Sequence, residues 1–295
     1  MDEHDRRNTA FAPMNRCRLE KIENMNIVMN KLPQITLAFW VMKICATTLG
    51  ETAGDLLSMT LNVGYTTSSL ILFAAFVVLL FIQLSSKKYQ PFLYWSVILA
   101  TSTAGTTMSD FLDRTLELGY MKGSLILLSI LLAILTYWYF SEKSMSVANI
   151  RTLKVEVLYW VAILFSNTLG TALGDFLADD SGLGFFGGAV LIGGLIAAVA
   201  AAAYFTGISR VLLFWVAFVL TRPFGATFGD LLTKPVANGG VGFGTIGSSA
   251  VLLAILVIGV LITLAKLQQQ AALEPALVLE RANAMAGEIE TGVVE

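Results

Sequence analysis

Four aspartates stand at the same place in four copies of one short motif. The copies run from Gly50 to Leu57, Gly105 to Leu112, Gly170 to Leu177 and Gly225 to Leu232, with Asp55, Asp110, Asp175 and Asp230 in register. Each lies near the end of an otherwise apolar run, where an ionised carboxylate is costly and marks ion or proton pathways. Several acids brought together there cannot all stay charged without protons or a bound cation. An all-oxygen set suits hard ions such as Mn²⁺, Mg²⁺ or Ca²⁺ better than zinc or copper. The sole histidine is His4, so imidazole catalysis and His/Cys metal sites are not expected in the body of the chain. The plainer alternative is that each aspartate sits in a final helical turn, bonds the following loop and only holds the structure together.

On a helix, the residues seven and four positions before each aspartate share its face. They are Thr48 and Glu51, Thr103 and Thr106, Thr168 and Thr171, then Pro223 and Ala226. This face nominates Glu51, Thr48, Thr103 and Thr168 as further ion-binding groups beside the four aspartates, which are the candidate metal ligands. A neighbouring flank is small in every copy: Gly50 and Gly54, Gly105 and Ser109, Gly170 and Gly174, Gly225 and Gly229. Such pairs let helix backbones approach closely in lipid. Two basic residues break the pattern. Lys43 lies in the first half of its run, and Arg222-Pro223 replaces the Thr47-Thr48, Ser102-Thr103 and Asn167-Thr168 of the other copies. They are expected to balance the carboxylates or gate a path, with Pro223 breaking its helix and freeing carbonyls.

The elements that carry these residues are legible from composition. The chain has 295 residues, 56% hydrophobic and 14% charged, with a mean hydropathy of +0.74, whereas a soluble domain carries about 25% charged residues. Eight apolar stretches, roughly 34–57, 67–86, 90–113, 122–141, 155–178, 185–206, 209–233 and 244–266, can each cross a bilayer at about 20 residues per helix. The aspartates recur at separations of 55, 65 and 55 residues. Trp40, Trp95, Trp160 and Trp215 precede them, each fifteen positions earlier and each after Phe or Tyr. A Gly-aromatic pair follows each motif: Gly64-Tyr65, Gly119-Tyr120, Gly184-Phe185, and Gly242-Phe243 with three extra residues.

The expected fold is therefore all-α: a polytopic membrane protein of eight transmembrane helices in four parallel tandem hairpin repeats, about 34–88, 89–143, 154–208 and 209–267. The odd helices are expected to form an inner ring, because a head-to-tail contact repeated four times closes. The tryptophans are read as interface anchors. Polar tails are expected over 1–31 and 268–295, around a membrane domain of 32–267. Lys87, Lys88, Lys143, Arg151, Lys154, Arg210 and Lys266 fall on the side of the N-terminus, and only Arg114, Lys122 and Lys234 fall opposite. The positive-inside rule then places both termini in the cytoplasm and the aspartates toward the outer face. Cys17 and Cys45 lie too far apart in kind and position for a disulfide framework.

With its four tryptophan-marked two-helix units, the chain resembles a bacterial family of integral membrane proteins built from four tandem repeats of unknown function. The resemblance covers roughly residues 34–266 and implies an inner-membrane location. Glu51 to Asp55 also looks like the acidic Glu-x-Gly-Asp repeats of cation/proton exchangers, with the spacing changed by one residue and the glutamate in the first copy alone. The functional expectation is a secondary transporter or exporter of a small, hard cation coupled to protons, not an enzyme, with no cofactor and no nucleic-acid partner. The lipid bilayer, the cation and protons are the expected partners, and self-association into a homo-oligomer is open. Alternatives are a membrane-embedded structural or partner-binding protein, or a transporter of an anionic or small organic solute using Arg222 and Lys43. An intramembrane enzyme would need a nucleophile or a specialised acid pair that four equivalent aspartates do not supply.

Overall fold

In the computed structural model, residues 33–86, 88–143, 145, 147, 150 and 152–291 are described, with side-chain surroundings as far as residue 273. The tail expected over 1–31, with His4 and Cys17, and the basic residues Lys87 and Arg151 lie outside the described residues. Eight long helices carry the four repeats: α1 (Leu37–Asp55), α2 (Tyr65–Ser85), α3 (Pro91–Asp110), α4 (Tyr120–Glu142), α5 (Leu153–Asp175), α6 (Gly184–Phe205), α7 (Arg210–Thr233) and α8 (Gly244–Thr291). The described residues contain no strand. α8 continues beyond 267 through most of the segment expected to be a polar tail.

Local chemistry sets the helix starts. The Thr36 and Thr152 hydroxyls accept from the amides of Phe39 and Val155, each at 3.3 Å, which satisfies orphan donors at the first turns of α1 and α5. Pro91 opens α3, where its missing N–H costs nothing. The Gly-aromatic signature marks the reversal into each even helix: Gly64 and Gly119 take φ of 81° and 72°, a left-handed backbone open to glycine at little cost.

At the other end, α1, α3 and α5 each run into a single π-helical turn just past the aspartate. It is closed by amides of Leu61, Leu116 and Ser181 donating to the carbonyls of Leu56, Phe111 and Phe176, each at 2.9 Å. The fourth copy departs because Pro235 follows. Pro disfavours helical geometry in the residue before it, and Lys234 accordingly leaves α7 with ψ 149°. The extra residues of this loop supply the missing donors. Val241 and Phe243 donate to the carbonyls of Leu231 and Leu232 at 2.7 and 2.9 Å.

Among the described residues, six helices are long and apolar enough to cross a membrane: α2, α4, α6, α8 as far as Leu273, α7, and α5 with its π turn. α1 and α3 are too polar to join them, since α1 holds Lys43, Glu51 and Asp55 and much of α3 is Ser and Thr. Burial explains the difference. Of the apolar windows, 17% is buried in α6 and 11% in α8, against 72% in α5 and 61% in α7. Most of α1 and α3 is buried as well. The odd helices face protein and tolerate polar groups, whereas the even helices offer apolar surface to their surroundings.

The contacts among odd helices follow one direction. α1 packs on α3, α3 on α5, α5 on α7, and α7 returns to α1. The small flank is the contact surface in every case. A Cβ built on Gly50 would lie 2.3 Å from Ser102 Cβ, one on Gly105 3.0 Å from Asn167 Cβ, one on Gly170 2.4 Å from Arg222 Cγ, and one on Gly225 2.7 Å from Thr47 Oγ1. Nearer the aspartates, Gly54, Gly174 and Gly229 meet Thr106, Ala226 and Glu51 in the same way. Each even helix makes its strongest contacts with the odd helix of the following repeat: α2 with α3, α4 with α5, α6 with α7, and α8 with α1. The repeat in sequence is thus not the packing unit in space.

The tryptophans require a correction. Trp95, Trp160 and Trp215 are buried and Trp40 is half-buried, so they do not stand outward as interface anchors. Each packs against the aromatic that precedes the tryptophan of the previous repeat. Ring centroids are 5.8 Å apart for Phe39–Trp95, 5.6 Å for Tyr94–Trp160, 6.4 Å for Tyr159–Trp215 and 5.7 Å for Phe214–Trp40. A 2.8 Å bond between the Tyr94 and Tyr159 hydroxyls and donation from Trp215 Nε1 to the Met145 carbonyl at 3.1 Å serve part of the polar complement of these rings. Aromatic pairs of this geometry add about 0.5–1.5 kcal/mol each beyond area burial, and together they cinch the amino ends of the odd helices.

Gly170→Ala is expected to lower the thermal midpoint in detergent by several degrees, from an overpacking cost of about 1–3 kcal/mol. Gly194→Ala, where an added Cβ meets nothing within 4 Å, is expected to leave it unchanged or raise it slightly, because Ala is the better helix former. Equal midpoints for the two variants would contradict the assignment of the small flank to the contact surface.

Candidate functional site: a column of polar layers ending in four aspartates

Counting back from the aspartates in steps of four residues gives successive buried layers. The first holds Glu51, Thr106, Thr171 and Ala226, and the second Thr47, Ser102, Asn167 and Arg222. The third holds Lys43, Ile98, Ile163 and Phe218. A four-residue step follows the helix ridge along which right-handed small-xxx-small crossings pack. Because helices in such crossings are inclined to one another, the inner row drifts by about 40° per step at 3.6 residues per turn, instead of following a vertical stripe.

That drift relocates part of the expected face. Thr48, Thr103 and Thr168 are buried, but their hydroxyls donate to carbonyls of their own helices: Ile44 at 2.9 Å, Ala100 at 3.1 Å and Leu164 at 3.0 Å. The polar contacts between helices are made one residue earlier. Asn167 Nδ2 donates to Thr101 Oγ1 at 2.9 Å and to Ser102 Oγ at 3.4 Å, while Thr47 Oγ1 lies 3.1 Å from the Thr221 carbonyl.

Arg222 is the centre of the column. Wholly buried, its guanidinium reaches all three other odd helices. Nη1 donates to Glu51 Oε2 at 3.0 Å and to the Thr47 carbonyl at 3.4 Å on α1. Nη2 donates to the Ser102 carbonyl at 3.3 Å and to Thr106 Oγ1 on α3, and to Thr171 Oγ1 at 2.7 Å on α5. Pro223 does not break α7, which runs unbroken through it. Its ring lies against Gly170, where an added Cβ would sit 2.9 Å from Pro223 Cδ. Lys43 forms no ion pair among the described residues and does not snorkel. It is wholly buried, its ammonium 4.0 Å from the centre of the Phe218 ring, with no hydrogen-bond partner among the described residues.

At the carboxyl end of the column all four aspartates are buried and are joined in two pairs, each by a cation four residues after one of them. Arg114 lies 3.0 Å from Asp110 and 3.6 Å from Asp175. Lys234 lies 2.8 Å from Asp55 and 3.1 Å from Asp230. The second copy bridges to the third and the fourth bridges to the first, an approximate two-fold relation that mirrors the 55, 65, 55 spacing. Burial alone would lower the Lys234 ammonium, but Asp230 and Asp55 outweigh it and hold the group above its ordinary range. The two cations are held differently. Arg114 also donates to Tyr65 Oη at 3.4 Å and lies 5.8 and 5.7 Å from the centres of the Tyr65 and Tyr120 rings. Lys234 has the two carboxylates.

The four aspartates therefore do not contribute equally to one metal site. The compact acidic group among the described residues is Glu51, Asp55 and Asp230, with one carboxylate oxygen from each within 4.8 Å of the others. Asp110 and Asp175 belong to the Arg114 pair. Counting Glu51, five carboxylates face three paired cations (Arg114, Arg222 and Lys234), so two carboxylates are in excess. Protons or a cation from solution must balance that excess. Asp113 is a further buried acid that the motif does not contain. It accepts from Ser109 Oγ at 3.2 Å, and its Oδ1 lies where a Cβ on Gly123 would come within 1.9 Å. The signal for Arg114 and Lys234 was available as opposite charges four residues apart.

Replacing Arg222 with Met should cost about 3–5 kcal/mol, because Glu51 is left buried and unpaired. Adding Glu51→Gln to that variant should recover most of the loss in thermal unfolding. A double variant no more stable than the single one would mean that the pair does not hold the column.

The repeats seen in the structure coincide with matches to a single family model. The model, described as Repeat of Unknown Function (DUF347), matches residues 38–89, 93–144, 158–209 and 213–266. No curated protein and no solved structure matches the chain. Because the four matches take in every helix that builds the column, the chain belongs to the DUF347 repeat family.

Proposed function

We propose that this protein is a secondary transporter of a small, hard cation, coupled to protons, in the bacterial inner membrane. In this reading α1 and α3 cross the bilayer with the six more apolar helices. The four odd helices form an inner ring around the polar column, and the even helices screen it from lipid. Both termini lie in the cytoplasm. The orientation is supported by the basic residues, most of which fall on the side of the N-terminus while only Arg114, Lys122 and Lys234 fall opposite.

The observation that carries the reading is the Glu51, Asp55 and Asp230 group, buried and within 4.8 Å of one another. Three carboxylate oxygens match the preference of Mn²⁺, Mg²⁺ or Ca²⁺ for oxygen ligands. The same groups can take up protons when the ion leaves, which is the chemistry that exchange requires. This is a transport site and not a catalytic one. One observation favours the rival, purely structural reading: every aspartate already has a cation within ion-pairing distance.

Reconstitution into proteoliposomes separates the two. The transporter reading expects Asp55→Asn and Asp230→Asn to reduce cation flux at least tenfold while the protein still unfolds cooperatively. Wild-type flux of Mn²⁺, Mg²⁺ and Ca²⁺ in both variants, with only a lowered thermal midpoint, would leave the structural reading standing.

A further inference from the structure

The two bridging cations sit at equivalent places, but they are not equally free to leave. Arg114 is part of a π-helical turn and is held by two carboxylates, one tyrosine hydroxyl and two rings. Lys234 lies past the end of its helix, put into extended backbone by Pro235, at the start of a loop rich in glycine. Gly239 and Gly242 take φ of 85° and 81°. Gly240 packs so closely that a Cβ there would lie 2.0 Å from the Lys234 carbonyl oxygen. The Lys234 side chain is 22% exposed and that of Arg114 34%, so solvent reaches both cations and the difference between them lies in the groups that hold each one. An ammonium is also a compact point charge on a flexible stem, without the planar fork that fixes arginine on carboxylates. Thr233, the residue before it, has a buried hydroxyl with no hydrogen-bond partner among the described residues, a spare oxygen beside the same cluster in sequence.

We propose that Lys234 is a tethered, exchangeable counter-ion: its ammonium fills the seat between Asp55 and Asp230 when no substrate is bound, and a cation entering the Glu51, Asp55 and Asp230 cluster displaces it toward solvent. The inference rests on the transporter reading and deepens it. It assigns substrate to the Lys234 half of the aspartate layer and gives the Arg114 half the task of holding the bundle. It also leaves the acid cluster with a counter-charge between cargoes, Arg222 and Lys234 together facing its three carboxylates. A seat filled by the tethered group about 90% of the time weakens apparent affinity about tenfold.

The test uses the full chain in lipid nanodiscs with Mn²⁺ as the probe. Lys234→Met is expected to bind Mn²⁺ about tenfold more tightly than wild type, and Lys234→Arg more weakly. Lys154→Met, which removes a charge paired with Glu142 at the other end of the bundle, should leave affinity unchanged. A second measurement does not depend on any variant folding. In the wild-type protein, acylation of Lys234 read by mass spectrometry should rise severalfold at saturating Mn²⁺, while acylation of Lys154 stays constant. Mn²⁺ binding with no gain in Lys234→Met, or with Lys234 equally or less reactive, overturns the counter-ion assignment and leaves the cation site intact. No binding of Mn²⁺, Mg²⁺ or Ca²⁺ by either wild type or Lys234→Met removes the cation site itself, and the counter-ion with it.

Discussion

The close approach of the odd helices at their glycine flanks is the constraint on which the rest depends. At Gly50, Gly105, Gly170 and Gly225 the neighbouring helix occupies the space a methyl group would need. Contact this close gains dispersion along both backbones and makes short polar links between helices possible. The proximity is what lets one guanidinium, that of Arg222, touch α1, α3 and α5 together. A wider bundle would leave each polar layer with gaps, and unpaired polar groups in a dry interior cost several kcal/mol each.

Charge is handled by placement more than by number. Glu51 and Arg222 are 171 residues apart in sequence, yet they meet because α7 packs back onto α1. The departures of the first and last copies from the common motif are therefore one feature, an ion pair across the point where the contacts close. Arg114 and Lys234 form a second kind of feature, repeated twice, which joins the aspartates two by two across neighbouring copies. Removing either member of a buried pair is far costlier than never having had it, so these pairs bind the copies to one another as well as supplying charge.

The outer helices show a related economy. Each packs on the odd helix of the next repeat, and α8 packs on α1. A linear repeat array leaves its terminal units half covered and needs special caps. Here the last unit covers the first, so the four copies can stay alike along most of their length. The aromatic pairs at the amino ends follow the same direction, from Phe39 onto Trp95 and finally from Phe214 onto Trp40.

The repeats, the helical class, the small flanks and the four aspartates were all legible in the sequence. Each depends on residue type and local period, which survive any arrangement of the helices. The sequence did not reveal which residue beside the aspartate face points inward, because that depends on the inclination of one helix against the next. The inward row runs through Thr47, Ser102, Asn167 and Arg222 and not through Thr48, Thr103 and Thr168. It did not reveal that the tryptophans are packed between helices, since an indole beside an apolar run reads the same in a core as at a membrane surface. Nor could spacing show that Lys234 meets Asp55, 179 residues away. That meeting exists because α7 packs back onto α1, a contact between distant copies that no single copy of the motif contains.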